Sequence, residues 1–64
     1  MSKRYYEFMA RLFRDSKPNE DLEEKEYNNK MEIWNSMIMK YMYRVKQEHP
    51  RFSRDKFVKA IEAN

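Results

Sequence analysis

The sequence predicts an all-α fold, a small three-helix domain with a long central helix. Three observations carry that expectation. Apolar residues recur at spacings of three and four along most of the chain, the period of a helix with one buried face. Glycine is absent from all 64 residues, whereas hairpin turns lean on its freedom at positive φ. Both prolines, Pro18 and Pro50, fall between periodic segments, where a residue that disfavours helical angles before it marks a connection.

The first helix is predicted over residues 3–15. Tyr5, Phe8, Met9 and Leu12 form its apolar stripe, Tyr6 and Phe13 broaden it, and Arg4, Glu7, Arg11 and Arg14 take the opposite face. Asp15 to Asn19 is the connection. The second helix is predicted over residues 21–48. Asp21 followed by Glu24 resembles a capping box, and acidic residues suit the positive end of a helix. A start near Lys25 is the alternative, because the first turn and a half is nearly all polar. Tyr27, Met31, Trp34, Ile38, Tyr41 and Val45 then step by four, three, four, three and four, the strongest periodic signal in the chain. Lys40, Arg44 and Lys46 sit near its end, where the helix dipole favours cations.

Pro50 stops that helix, and Ser53 is a good N-cap for a third over residues 54–63. Phe52 precedes the cap and Phe57 lies at the fourth helical position, the two places where apolar side chains staple a helix entrance. Arg51, Arg54, Lys56 and Lys59 are then the outer side of a short helix pinned by Phe52, Phe57 and Ile61. The expected core is Tyr5, Phe8, Met9, Leu12, Trp34, Ile38, Tyr41, Phe52, Phe57 and Ile61.

Composition sets bounds. Sixty-four residues make one domain near the lower limit for a core that stands alone, burying only about 60% of its unfolded surface. Cysteine is absent, so disulfides and thiolate metal sites are excluded together, and self-association remains a source of added stability. The net charge of +3 conceals segregation: residues 1–18 sum to +3, residues 19–32 to −4 and residues 33–64 to +4. This alternation predicts that the first helix pairs antiparallel with the acidic first half of the second, bringing opposite charges together. No apolar run approaches the ~20 residues that span a bilayer. The first fifteen residues also lack the unbroken apolar segment of a signal peptide. The expected location is the cytoplasm.

Chemical signatures are missing. Without glycine, phosphate-cradling loops and dinucleotide fingerprints are excluded. His49 is the single histidine and without cysteine builds no closed zinc site; a helix C-terminus suits an imidazolium. The acidic run from Glu20 to Glu26 lacks the alternating ligands and central glycine of a calcium loop. Ser2, Ser16, Ser36 and Ser53 have no histidine at a spacing that suggests an activated nucleophile. The sequence therefore predicts no enzyme, no cofactor and no metal.

Binding is the remaining class. Met39 and Tyr43 fall more than about 100° from the main seam of the second helix, one turn apart, with Ile33 on the other shoulder. Ile33, Met39 and Tyr43 are the candidate protein interface, to a partner protein or a second copy of the chain. The alternative is nucleic acid. A sequence pI of 9.3 and two helices joined by a turn invite that comparison, and Arg51 and Arg54 beside a helix N-terminus are the candidate phosphate contacts. Asp55 and Glu62 interrupt the cations of that helix, which favours the protein reading.

The run His49-Pro50-Arg51-Phe52-Ser53-Arg54-Asp55-Lys56-Phe57-Val58-Lys59-Ala60 resembles the Asn-Pro-Arg-Phe-Asp-Arg-x-Arg-Phe-Leu-x-Ala tail of short, mostly uncharacterised bacteriophage and prophage reading frames. Those also open with a Tyr-Glu-containing helix, as Arg4 to Ala10 does here. The resemblance is close over the last sixteen residues, loose over the first fifteen and negligible between. His49 replaces Asn and Ser53 replaces the capping Asp, both keeping the capping logic, while Ile61 stands where the family often has Cys. What the resemblance implies is a phage-type source and a helical fold, with no site. The expected function is thus a phage-type accessory protein in the bacterial host cytoplasm, binding a protein, host-encoded or itself, without catalysis.

Overall fold

The computed structural model describes residues 3–63. The described chain is all-α. Helix α1 spans Lys3–Asp15, α2 spans Glu24–Glu48 and α3 spans Arg54–Glu62. At 1.5 Å per residue α2 is about 37 Å long, and it runs nearly the full 39 Å of the molecule's longest extent.

Ring contacts and hydrogen bonds give the helix directions. Trp34 Nε1 donates to the Phe13 carbonyl at 2.9 Å, and Tyr6 meets Phe52, whose carbonyl Lys46 holds at the end of α2, so α1 runs antiparallel to α2. Tyr6 stacks near Phe52 at 5.1 Å and Arg14 reaches the carbonyl of Ile61, so α3 runs parallel to α1. These two helices make the closest backbone approach in the molecule. Ala10, 1% exposed, makes it possible: it shares a small recess with Ala60, and neither has a side chain long enough to hold the helices apart.

Around that contact lies a core of Ala10, Phe13, Ile38, Met42, Val45, Phe52, Phe57 and Ile61, with Tyr6, Met9, Trp34, Tyr41, Val58 and Ala60 packed against it. Its centre is aromatic. Phe57 lies 5.4 Å from Tyr41, 5.5 Å from Phe52 and 6.1 Å from Phe13. Such offset and edge-on pairs add about 0.5–1.5 kcal/mol each beyond area burial.

The turn into α3 follows the sequence closely. Ser53 Oγ accepts from the Lys56 N–H at 3.3 Å, and Phe52 and Phe57 close across the cap. Lys46 adds a tie the periodicity does not reveal. Its ammonium donates to the carbonyls of Pro50 at 2.6 Å and Phe52 at 2.9 Å, fastening the turn to the end of α2.

Four expectations are corrected. First, the capping box at Asp21 does not form. Asn19 Oδ1 accepts from the Asp21 N–H at 2.9 Å, an Asx turn in which the Asn side chain stands in for a backbone acceptor. Residues 19–22 therefore form a turn, and α2 begins at Glu24, after an N-cap at Glu23 that makes no side-chain cap bond. Second, α1 shows its other stripe to the core. Tyr5, Phe8 and Leu12 are exposed, and Tyr6, Met9, Ala10 and Phe13 face inward. Third, Arg14 is not on a solvent face. It is half-buried, and its guanidinium donates from Nε to the Ile61 carbonyl at 3.1 Å and from Nη2 to the Ala60 carbonyl. A cation there satisfies free carbonyls at the negative end of α3. Fourth, α1 meets α2 at Trp34 and Tyr41 rather than at the acidic first turns. The one ion pair among the described residues is Lys30 with Glu26 at 3.2 Å, within α2 itself. Helix packing is decided by short-range fit, and exposed charges contribute only about 0–1 kcal/mol per pair.

Candidate protein-binding surface

The helix arrangement leaves seven large apolar side chains in solvent. Tyr5, Phe8, Leu12, Ile33, Met37, Met39 and Tyr43 are all more than 40% exposed. In a monomeric soluble domain single exposed apolar residues are ordinary, whereas contiguous ones mark contact surfaces.

They divide into two faces. At about 100° per residue, Ile33 and Met37 lie on the shoulder of α2 that borders α1, and Met39 and Tyr43 lie on the other. Across the first shoulder Leu12, Ile33 and Met37 line one open groove with Leu22, Pro18 and Trp34. Phe8 and Tyr5, four and seven residues before Leu12, are exposed on the same side of α1. This broad face spans two helices. Met39 and Tyr43, 57% and 62% exposed, form a narrower one.

The three interface candidates from the sequence are thus all exposed, on the two shoulders of α2 that the sequence assigns them. Ile33 joins Leu12 and Met37, while Met39 and Tyr43 stay together on the far shoulder. Sequence reasoning missed the broad face because Tyr5, Phe8 and Leu12 were assigned to the core. One signal could have found it. Tyr5 and Leu12 are seven residues apart, and so are Tyr6 and Phe13; each pair makes a stripe, and a short helix facing one small core buries only one of them.

The basic candidates differ in their surroundings. Arg51 lines a cleft with Lys3, Lys56, Ser53 and the ring of Phe52, and Glu7 lies in the same cleft. Arg54 is exposed and lies outside that cleft's lining. Three cations at the entrance of α3 make a positive surface, which Glu7 partly offsets.

Polar groups elsewhere serve the fold. Ser16 Oγ donates to the Leu12 carbonyl at 2.8 Å at the end of α1, and Ser53 is the cap of α3; Ser2 lies outside the described residues. The backbone N–H of His49 donates to the Val45 carbonyl at 2.7 Å, closing α2. The Tyr41 hydroxyl is buried, with the side chain of Tyr5 as its polar neighbour. Burial pushes its pKa well above 10.0, and the neighbouring Tyr5 and Tyr6 push it further. Among the described residues no helix is long and apolar enough to cross a membrane.

Compared with known proteins, the chain matches no family model, no curated protein and no solved structure.

Proposed function

We propose that this chain is a small phage-type accessory protein that works by binding protein in the bacterial host cytoplasm, without catalysis. The observation that carries the reading is the pair of exposed apolar faces on opposite shoulders of α2. A long helix with one seam for its own domain and apolar residues on both flanks can hold its fold and a partner at once. Tyrosine and methionine suit that use, the first for its large contact area and the second for its adaptability. Tyr43 with Met39 is the surface for a host-encoded partner, bordered by the polar Ser36 and Gln47.

The test is a pull-down from bacterial lysate with the tagged chain, resolved by mass spectrometry. A specific partner should be retained by the wild type and lost with Tyr43→Glu, while the helical circular dichroism signal stays within a few per cent because Tyr43 lies outside the core. Retention that is insensitive to Tyr43→Glu would place the contact elsewhere and overturn this surface.

The second reading, nucleic acid, is favoured by one observation, the cations Lys3, Arg51 and Lys56 around the cleft at the start of α3. Each phosphate neutralised by such cations releases a counterion, so binding of that kind weakens steeply with salt. The protein reading expects only weak, sequence-independent duplex binding that disappears at physiological salt. Tight, sequence-selective binding there, weakened by Arg51→Ala, would replace it.

A further inference from the structure

The broad face of α1 and α2 carries a pattern that the narrow face lacks. Glu26, Ile33, Met37 and Arg44 follow one another at intervals of seven, four and seven. At about 100° per residue all four fall in a single stripe, whose central Ile33 and Met37 line the Leu12 groove. The stripe is palindromic about position 35. It has an acid at one end, a base at the other and two large apolar residues between them, and Ile33 and Met37 are 61% and 56% exposed.

A surface with that arrangement is complementary to itself turned end for end. We propose that the broad face is covered by a second copy of the chain, in a two-fold dimer whose axis crosses α2 at the level of Asn35. In such an isologous contact each pairing occurs twice. Ile33 packs on Met37 of the second copy and Met37 on its Ile33, while Glu26 meets Arg44 of the second copy at each end. Leu12, which shares the groove with Ile33 and Met37, lies beside the axis and reaches its own counterpart. Lys30 and Lys40 are also symmetric about position 35, but they fall on opposite margins of the stripe, about 40° to either side, and pass without facing each other. Lys30 already has Glu26 as its partner at 3.2 Å, in a pair whose side chains are about half exposed, where a single ion pair contributes little.

The monomer has a physical need for this partner. Its Cα radius of gyration is 12.8 Å, against roughly 11 Å for a compact domain of this length, and its shortest extent is 15 Å. It is a thin, elongated layer, and every core residue except Ala10 keeps at least 3% of its surface exposed. Chains this small commonly add stability by oligomerising when they lack disulfides and metals. A second layer on the open side would bury Phe8, Leu12, Ile33 and Met37 together.

The proposal rests on the protein-binding reading and names the occupant of one of its two faces. Sedimentation analysis of the full chain from micromolar to millimolar concentration is the test. The wild type should show a reversible monomer–dimer equilibrium, and Met37→Glu should be monomeric throughout, with helicity unchanged. Glu26→Arg should weaken the dimer about tenfold, because two end pairs become repulsive together, and Glu26→Arg combined with Arg44→Glu should restore it. Two results would overturn the inference: a wild type that is monomeric across the range, or a dimer indifferent to Met37→Glu and to the charge reversal. The host-partner reading is separable, since a monomeric chain that still retains a Tyr43-dependent partner refutes the dimer alone.

Discussion

Helices α1 and α3 lie side by side and parallel, yet they were legible to different degrees. The face of α3 is specified within a dozen residues. Pro50 ends the preceding helix, Ser53 caps the next, and Phe52 and Phe57 meet across the cap at 5.5 Å. Each of those interactions joins residues within five positions, so no distant packing is needed to choose the helix phase. Helix α1 has no such local instruction. Its stripes Tyr5–Leu12 and Tyr6–Phe13 are equally apolar and equally periodic, and the choice falls to the site with the smallest side chain, Ala10, where α3 can come closest. The comparison teaches that periodicity identifies a helix, and that local capping or a small residue at a crossing decides which way it faces.

The largest expected effect breaks the local side of the comparison. Phe52→Ala should destabilise the domain by about 3–5 kcal/mol, the range for emptying a buried aromatic site, because Phe52 touches both Phe57 and Tyr6. In a domain this small most of the population should unfold, visible as a collapse of the thermal transition. An unchanged melting temperature would mean that the staple contributes nothing.

The second prediction tests the two stripes of α1 directly. Phe13→Ala should also cost about 3–5 kcal/mol. Phe8→Ala, at a solvent-facing position, should stay within about 0.5 kcal/mol of wild type when both are measured by urea unfolding of the monomer, in a Met37→Glu background. Equal losses would show that α1 buries both faces.

Arg14→Ala isolates the cross-helix tie. Charge-assisted hydrogen bonds to the α3 carbonyls contribute about 1.5–3 kcal/mol, and partial exposure should reduce the loss toward the low end of that range. Hydrogen exchange at the end of α3 should accelerate in step. Ser53→Ala should cost about 1 kcal/mol as a lost N-cap, with the earliest fraying at the start of α3. A loss for Ser53→Ala as large as that for Phe52→Ala would reverse the order of cap and staple.

The smallest effect concerns Tyr41. Its hydroxyl is buried with the side chain of Tyr5 as its polar neighbour, so Tyr41→Phe should change stability by no more than about 1 kcal/mol in either direction. The pH dependence has a definite sign. The folded state raises the pKa of this group above the 10.0 of an ordinary tyrosine. Its contribution is therefore complete below pH 10 and declines as pH rises beyond that value, because the unfolded chain releases the proton more readily. Wild-type stability should fall above pH 10, and Tyr41→Phe should flatten that fall. Identical alkaline profiles for the two chains would show that the hydroxyl is solvated.

By itself the sequence determined the helices, the seam of α2 and the entrance to α3. Those features depend on hydrogen bonding and packing between residues a few positions apart, and proline, serine and phenylalanine carry that information locally. The candidate surface was only partly legible. Met39 and Tyr43 stood out because they lie far from an unambiguous seam, whereas Leu12 and Phe8 were concealed by a second stripe equivalent to their own, and Met37 acquires meaning only beside Leu12. Tertiary structure alone decided the phase of α1, the use of Arg14 on the far end of α3, and the meeting of Ile33 and Met37 with Leu12 in one groove. The charge blocks misled for a related reason. Coulomb attraction between exposed groups is weak and reaches many geometries equally, while Ala10 against Ala60 and Phe13 against Phe57 permit one.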